Sequence, residues 1–310
     1  MPEPDAPAGS PDPADALPPV LAQAWGLART PQRGPKPELS VESIVDAAVR
    51  IADAEGLEAV TMARVARELG FTPMSLYRHV TSKDDLVQLM NDAAFDIPIP
   101  SPEESAGVPW RQTLAAWTRA VRRHYLRHPW KLDIPVSGVP SMPNAVRLAD
   151  WALRGMRDLP LTDAERISLL LTLSALAHAF ARLDVQLMRS AREYGDDRVL
   201  GVGLDRALAH LITAEKYPDL HRLIAAGVYF GSTPTGPAPA AGLVEAGQLA
   251  EIDQQAKNDR HAKDGGLAEE DKLAVDDDGA APTIVEFEYA LTLVLEGLEA
   301  RVRAATAGPE

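Results

Sequence analysis

Residues 61–80, TMARVARELGFTPMSLYRHV, gather a phenol, an imidazole, hydroxyls and guanidiniums in one short stretch. Tyr77, Arg78 and His79 are consecutive, Thr72, Pro73, Met74 and Ser75 precede them, and Thr61, Arg64, Arg67 and Lys83 flank the run. Such groups make hydrogen bonds and ion pairs with a polar or anionic partner, and they form no nucleophile with an attendant base. Other spacings carry less. His124 and His128 stand four apart on one helical pattern, a metal-binding spacing. No HExxH carboxylate accompanies them, and Arg122, Arg123 and Arg127 surround them with like charge. Asp276-Asp277-Asp278-Gly279 lacks the alternating ligands of a calcium loop. Gly201 and Gly203 follow no strand and lack a third glycine, and no Gly-x-Ser-x-Gly occurs. No catalytic residue, metal or cofactor is therefore expected.

The elements that would position the first group are short helices. Ser40 can cap a helix whose stripe is Ile44, Val45, Ala48, Ile51 and Ala52, and Gly56 ends it. Thr61 caps a second helix with Val65, Ala66 and Leu69 inward, stopped by Gly70. Thr72 and Pro73 read as N-cap and first residue of a third helix, Met74 to Val80. Ser82 and Asp85 form a capping box for a fourth, which presents Lys83 at its start. Ala66 is small where two helices would cross, and Gly70 can take the left-handed conformation a tight turn needs. These are the steric requirements of a helix-turn-helix, with Thr72, Pro73, Met74, Ser75, Tyr77, Arg78 and His79 left facing outward.

Beyond residue 100 the pattern predicts helices over about 110–127, 143–157, 162–192, 204–214, 218–229 and 283–305, and no alternating strand pattern. The fold class expected is all-α: a three-helix helix-turn-helix domain over 39–92, then a larger helical domain over 93–310. Residues 1–38, rich in Pro, Ala and Asp, are expected to form a disordered arm carrying Arg29, Arg33 and Lys36 near its end. The segment 231–282 reads as a disordered acidic insert, with eleven acidic against four basic side chains.

The whole chain carries −14, which argues against coating a polyanion with its entire surface. Half of that charge lies in the acidic insert, so a local basic face is not excluded. The absence of cysteine excludes disulfides and thiolate metal sites. The first 20 residues have neither basic nor apolar leader regions, and the apolar run 167–181 is short of the roughly 20 residues of a membrane span. No membrane partner and a cytoplasmic location are the expectations.

The stretch IVDAAVRIADAEGLEAVTMARVARELGFTPMSLYRHVTSKDDL resembles the TetR family of transcriptional regulators, most specifically in its Leu-Tyr-x-His-Val helix followed by a Lys and an acidic helix start. The resemblance implies a DNA-binding domain whose contacts to double-stranded DNA come from Thr61, Pro73, Met74, Ser75, Tyr77, Arg78, His79 and Lys83. Tyr77, His79 and Lys83 would hold phosphates, while Pro73, Met74, Ser75 and Arg78 would face base edges. Arg64 and Thr72 join the set by position.

More loosely, the later part is similar to the tetracycline-repressor type of ligand-binding domain. The matching stretches are Arg127-His128-Pro129-Trp130, the long helix from Thr162, Tyr217-Pro218-Asp219-Leu220 and FEYALTLVLEGLEA. This implies a homodimer, a palindromic operator and a small-molecule effector. The last helix offers a stripe of Ile284, Phe287, Leu291, Val294, Leu295 and Leu298 for pairing with a second copy, or for packing within its own subunit. Trp117, His178, Arg182 and Gln186 are the candidate effector contacts. A repressor released by effector is the leading expectation. A ligand-independent regulator or activator, and a helical enzyme with a docking module, remain as alternatives.

Overall fold

The structure, a computed structural model, describes residues 16–27, 39–95, 97–135, 140–194, 211–226 and 283–307. The arm residues Arg29, Arg33 and Lys36, most of the helix expected at 204–214 and the acidic insert lie outside them. All regular elements among the described residues are helical, as the sequence pattern requires. The helices are α1 Pro19–Ala24, α2 Val41–Glu55, α3 Met62–Leu69, α4 Pro73–Leu76, α5 Lys83–Ala93, α6 Trp110–Arg127, α7 Pro143–Gly155, α8 Asp163–Tyr194, α9 Pro218–Ala225 and α10 Ile284–Ala307. Two compact units divide the chain, one of Met1–Arg182 with Ala290–Glu310 and one of Leu183–Tyr289.

In the first unit, α2 buries the stripe read from the sequence: Ile44, Val45, Ala48, Ile51 and Ala52 all lie inside. Ser40 caps it by accepting from the Ser43 amide at 3.2 Å, while the Ser43 hydroxyl accepts from the Ser40 amide at 3.0 Å. Val60, Val65, Ala66, Leu76, Val80, Leu86 and Met90 complete one core with this stripe. Each buried Leu here is worth several kcal/mol, about 2–5 on truncation to Ala.

The arm expected to be disordered contributes to that core. Pro18 and Pro19 start α1, whose Val20 and Ala22 are buried and which packs on α5. Pro at the first helical position followed by Val20 and Leu21 was the available signal, masked by the Pro/Ala composition around it.

The helix α6 spans the predicted 110–127. A Cβ on Gly155 at the end of α7 would meet Thr113 Cγ2 of α6 at 2.7 Å, so the two helices touch where only glycine fits. Thr162 and Glu165 form the expected capping box before α8: the Glu165 carboxylate accepts from the Thr162 amide at 2.7 Å and the Thr162 hydroxyl from the Glu165 amide at 3.3 Å. The segment Asp163–Glu193 is, in length and apolar composition alone, enough to cross a membrane, longer than the uncharged run suggested. Its Leu173, Ala177 and Ala181 are core positions of the folded chain.

The last-helix stripe turns inward. Leu291, Leu295 and Leu298 of the first unit are buried, and so is Phe287 of the second. In that second unit the buried Asp184 carboxylate receives the Thr283 amide at 2.9 Å and its hydroxyl at 2.7 Å, capping the start of α10. The outward apolar side chains of α10 are instead Val285, Tyr289 and Leu293.

Candidate nucleic-acid interface

The turn that presents the polar run is built by its backbone. The Thr61 hydroxyl accepts from the Arg64 amide at 3.1 Å and starts α3. Gly70 ends it at φ +77°, ψ 22°, and the Phe71 amide reaches back to the Ala66 carbonyl at 2.8 Å, the Schellman closure that left-handed glycine permits. Val65 and Leu76 are fully buried across the turn and Leu69 is half-buried, which fixes the second helix against the first.

The third helix is shorter than its pattern predicts. α4 covers only Pro73–Leu76, after which the His79 and Val80 amides both bond the Leu76 carbonyl, at 2.8 and 2.9 Å. Val80 must be buried while Ser82 adopts the extended conformation that caps α5, so the chain leaves the helix early. Ser82 accepts from the Asp85 amide at 3.0 Å as expected. Thr72 does not cap with its side chain; its hydroxyl pairs with that of Ser75 at 3.0 Å.

With Leu76 as anchor, the other side chains turn outward. Met74 is 70% exposed and Tyr77 48%, values unusual for large apolar and aromatic groups unless a partner covers them. Thr61, Thr72, Pro73, Arg78 and Lys83 are exposed, and Ser75 and His79 are half-buried. One short segment thus holds a thioether, a phenol and a guanidinium side by side, suited to apolar, hydrogen-bonding and ionic contacts with one groove.

Arg64 stands apart. Its guanidinium is shared between Glu55 at 2.9 Å and Glu68 at 2.5 Å, which raise its pKa further and compensate its charge. The sequence reading missed this because Glu55 lies one helix away, at the end of α2.

A polar cluster that sequence reasoning did not assemble joins α2, α5, residues 128–131 and the start of α7. Asp53 of α2 faces His128 Nδ1 at 2.7 Å and accepts from the Trp130 indole at 2.6 Å. The buried Lys131 ammonium donates to the Asn91 carbonyl at 2.5 Å and lies 4.7 Å from the centre of the Phe95 ring. Burial pushes the Lys131 pKa down to about 7 against the pull of Asp92 and Asp53. Asp92, near the end of α5, accepts the Asn144 amide at 3.0 Å and the Ala145 amide at 3.4 Å, at the start of α7; burial raises its pKa. His124 stacks on Phe95 at 4.6 Å. So the two histidines of the i,i+4 pair are occupied by Asp53 and by ring packing. No group of three or more His, Cys, Asp or Glu residues suited to a metal occurs among the described residues.

The four expected effector contacts have different surroundings. Trp117 is 2% exposed and its indole already donates to the Leu148 carbonyl at 2.9 Å, the position of a core side chain. His178, half-buried, meets the Tyr125 ring edge-on at 5.3 Å, and burial lowers its pKa. Arg182 donates to the Leu132 carbonyl. Gln186 belongs to the second unit, where it is exposed. A cavity of about 370 Å³ in the first unit lies elsewhere, between Trp110, Thr113, Trp151, Arg154 and Leu159.

Comparison with known proteins matches both parts of the chain. The model for "Bacterial regulatory proteins, tetR family" matches residues 44–90, and that for "Tetracyclin repressor-like, C-terminal domain" matches 101–235. The HTH-type transcriptional repressor DrrR1 of Streptomyces coeruleorubidus is 38% identical over 176 residues, 57% of this chain and 65% of the relative. An HTH-type transcriptional regulator of Saccharopolyspora erythraea is 35% identical over 116 residues, 37% of this chain and 48% of that protein. The chain thus spans less than two thirds of the length of either relative. Among solved structures, apo ActR from Streptomyces coelicolor superposes with a TM-score of 0.55 at 24% identity, covering 86% of this chain and 98% of ActR. ActR in complex with actinorhodin gives a TM-score of 0.54 with 86% and 99% covered. A helix-turn-helix closed at Gly70, followed by a helical domain and matched in both parts by models of one family, gives the conclusion: this chain belongs to the TetR family of bacterial regulatory proteins.

Proposed function

We propose that this protein is a transcriptional repressor that binds a palindromic operator as a homodimer and leaves it when a small molecule occupies the helical domain. In this reading residues 39–92 read DNA and 93–310 hold effector and dimer contacts. The observation that carries it is the outward segment Pro73, Met74, Tyr77 and Arg78, held on a turn closed by Gly70 and anchored by buried Leu76. A groove-reading segment needs that combination of a rigid base and a bare polar front. Tyr77, His79 and Lys83 are the phosphate contacts of this reading. Pro73, Met74, Ser75 and Arg78 are its base contacts, and Thr61 and Thr72 lie at the edge.

Repression is supported by DrrR1, a repressor by name, and effector binding by the actinorhodin complex of ActR, a neighbour in fold. Dimerisation is supported by apolar side chains left outward on the long helices. Ile167 and Leu171 of α8 and Leu293 of α10 are 49%, 63% and 50% exposed. Their burial against a second copy would place two recognition segments on successive half-sites. A protein acting on the chromosome works in the cytoplasm, which completes the reading.

The test is selection from a random duplex library with purified full-length protein at near-physiological salt. Enrichment of an inverted repeat is the expected result, and the selected duplex then reports release by candidate effectors. Binding that is weak, salt-sensitive and without sequence preference would overturn the reading.

A further inference from the structure

The helix α1 lies outside both matched regions, which begin at residue 44. It nevertheless makes two directed hydrogen bonds at its far end. Gln23 Nε2 donates to the His79 carbonyl at 3.0 Å, and Trp25 Nε1 donates to the Ser141 carbonyl at 2.9 Å. His79 closes the segment that carries Met74, Tyr77 and Arg78; Ser141 lies two residues before α7. Val20, with Leu21 and Ala24 beside it, seats α1 in the same core that holds Leu76, Val80, Trp130 and Met142. The backbone after Leu76 is a loose place to leave unsupported, because α4 has only four residues and its continuation consists of turns. A carbonyl there, bonded by a side chain from a separately anchored helix, gains a fixed position.

We propose that residues 18–27 are a positioning strap for the DNA-reading segment. Gln23 holds the end of that segment, and Trp25 fixes the strap to the entrance of α7. Gln23 is a positioning residue: it acts on DNA through His79, Arg78 and Tyr77 and not by touching a base. The strap also sets the recognition segment against the start of α7, where Asp92 receives the Asn144 and Ala145 amides, so a shift of α7 is felt at His79 through Trp25 and Gln23. The inference rests on the DNA-reading proposal for its functional consequence, but not for its structural content.

Full-length Gln23→Ala, Gln23→Glu and Trp25→Phe variants test it by two measurements. Hydrogen exchange of the free protein should quicken at residues 77–80 in all three, with α8 unchanged. Unchanged exchange at 77–80 would overturn the strap whether or not the protein reads DNA. Affinity for the selected operator should fall roughly three- to tenfold in Gln23→Ala, the effect of one lost neutral hydrogen bond. Affinity for a random duplex should stay the same. Quickened exchange with unchanged operator affinity, or equal losses on both duplexes, would overturn the positioning role. If the wild-type protein selects no sequence, the DNA reading falls, and hydrogen exchange alone decides whether the strap holds.

Discussion

Asp53 and Trp130 are joined by a 2.6 Å hydrogen bond from indole to carboxylate, although 76 residues separate them in sequence. Trp130 is 1% exposed, and its indole N–H takes Asp53 as acceptor. Asp53→Ala should therefore cost about 1–3 kcal/mol, the penalty for leaving a buried donor unpaired. Asp53→Asn keeps an acceptor for the indole and should recover most of the loss. Urea unfolding of the three proteins checks this. Equal midpoints for wild type and Asp53→Ala would mean that the indole finds another acceptor.

The histidine stacked on Phe95 gives a pH dependence of definite sign. Burial, reinforced by the charge of Lys131, holds the His124 pKa at about 2, against 6.5 for the free group. Between those values the unfolded chain binds a proton that the folded chain refuses. The contribution is whole above pH 6.5 and declines as pH falls, by about 1.4 kcal/mol per pH unit once the unfolded imidazole is fully protonated. Subtracting the stability curve of His124→Phe from that of wild type between pH 6.5 and 4.5 isolates this slope. Parallel curves would refute the assignment. Lys131, lowered to about 7 from 10.5, has the same sign in a different window, so stability should climb from pH 7 toward 10.5 and Lys131→Met should flatten that climb.

On DNA, the cations around the turn divide by surroundings. Arg78 sits on the outward segment, and Arg78→Ala should cost about 1–3 kcal/mol on the selected operator and relax preference at one base position. Lys83→Ala should weaken operator and random duplex alike and reduce the salt slope by about 1. Arg64→Ala should change affinity least of the three, since Glu55 and Glu68 already hold its charge. Fluorescence anisotropy across a salt series measures all three. A large loss for Arg64→Ala would mean that its carboxylate partners release it on DNA.

What the sequence disclosed follows from the range of the forces involved. The α2 stripe, the Thr61 cap, the Gly70 turn and the Thr162–Glu165 box depend on residues at most five apart, and local pattern contains them. The family resemblance added the meaning of the outward segment. The Asp53–Trp130 bond, the Glu55–Arg64 pair and the Gln23–His79 contact join separate elements, and no spacing announces them. The helix α1 was hidden by composition, because Pro and Ala are common both in disordered arms and at helix starts. The early end of α4 was set by Val80 and Ser82 competing for the same backbone.

The last helix shows why a stripe alone does not name its partner. Ile284, Phe287, Leu291, Val294, Leu295 and Leu298 share one face, yet Phe287, Leu291, Leu295 and Leu298 are buried within the chain. Leu291 and Leu293 are two residues apart, which at 100° per residue sets them on nearly opposite sides of α10. Leu291 is 1% exposed and Leu293 50%. Leu291→Glu should therefore place a carboxylate in the core and unfold or severely destabilise the protein. Leu293→Glu should leave circular dichroism and the melting midpoint nearly unchanged. If Leu293 faces a second copy, the same variant should sediment as a monomer and lose the operator, because each half-site alone binds weakly. A Leu293→Glu protein that sediments like wild type would remove this face of α10 from the dimer, and the outward Ile167 and Leu171 of α8 would be the next positions to charge.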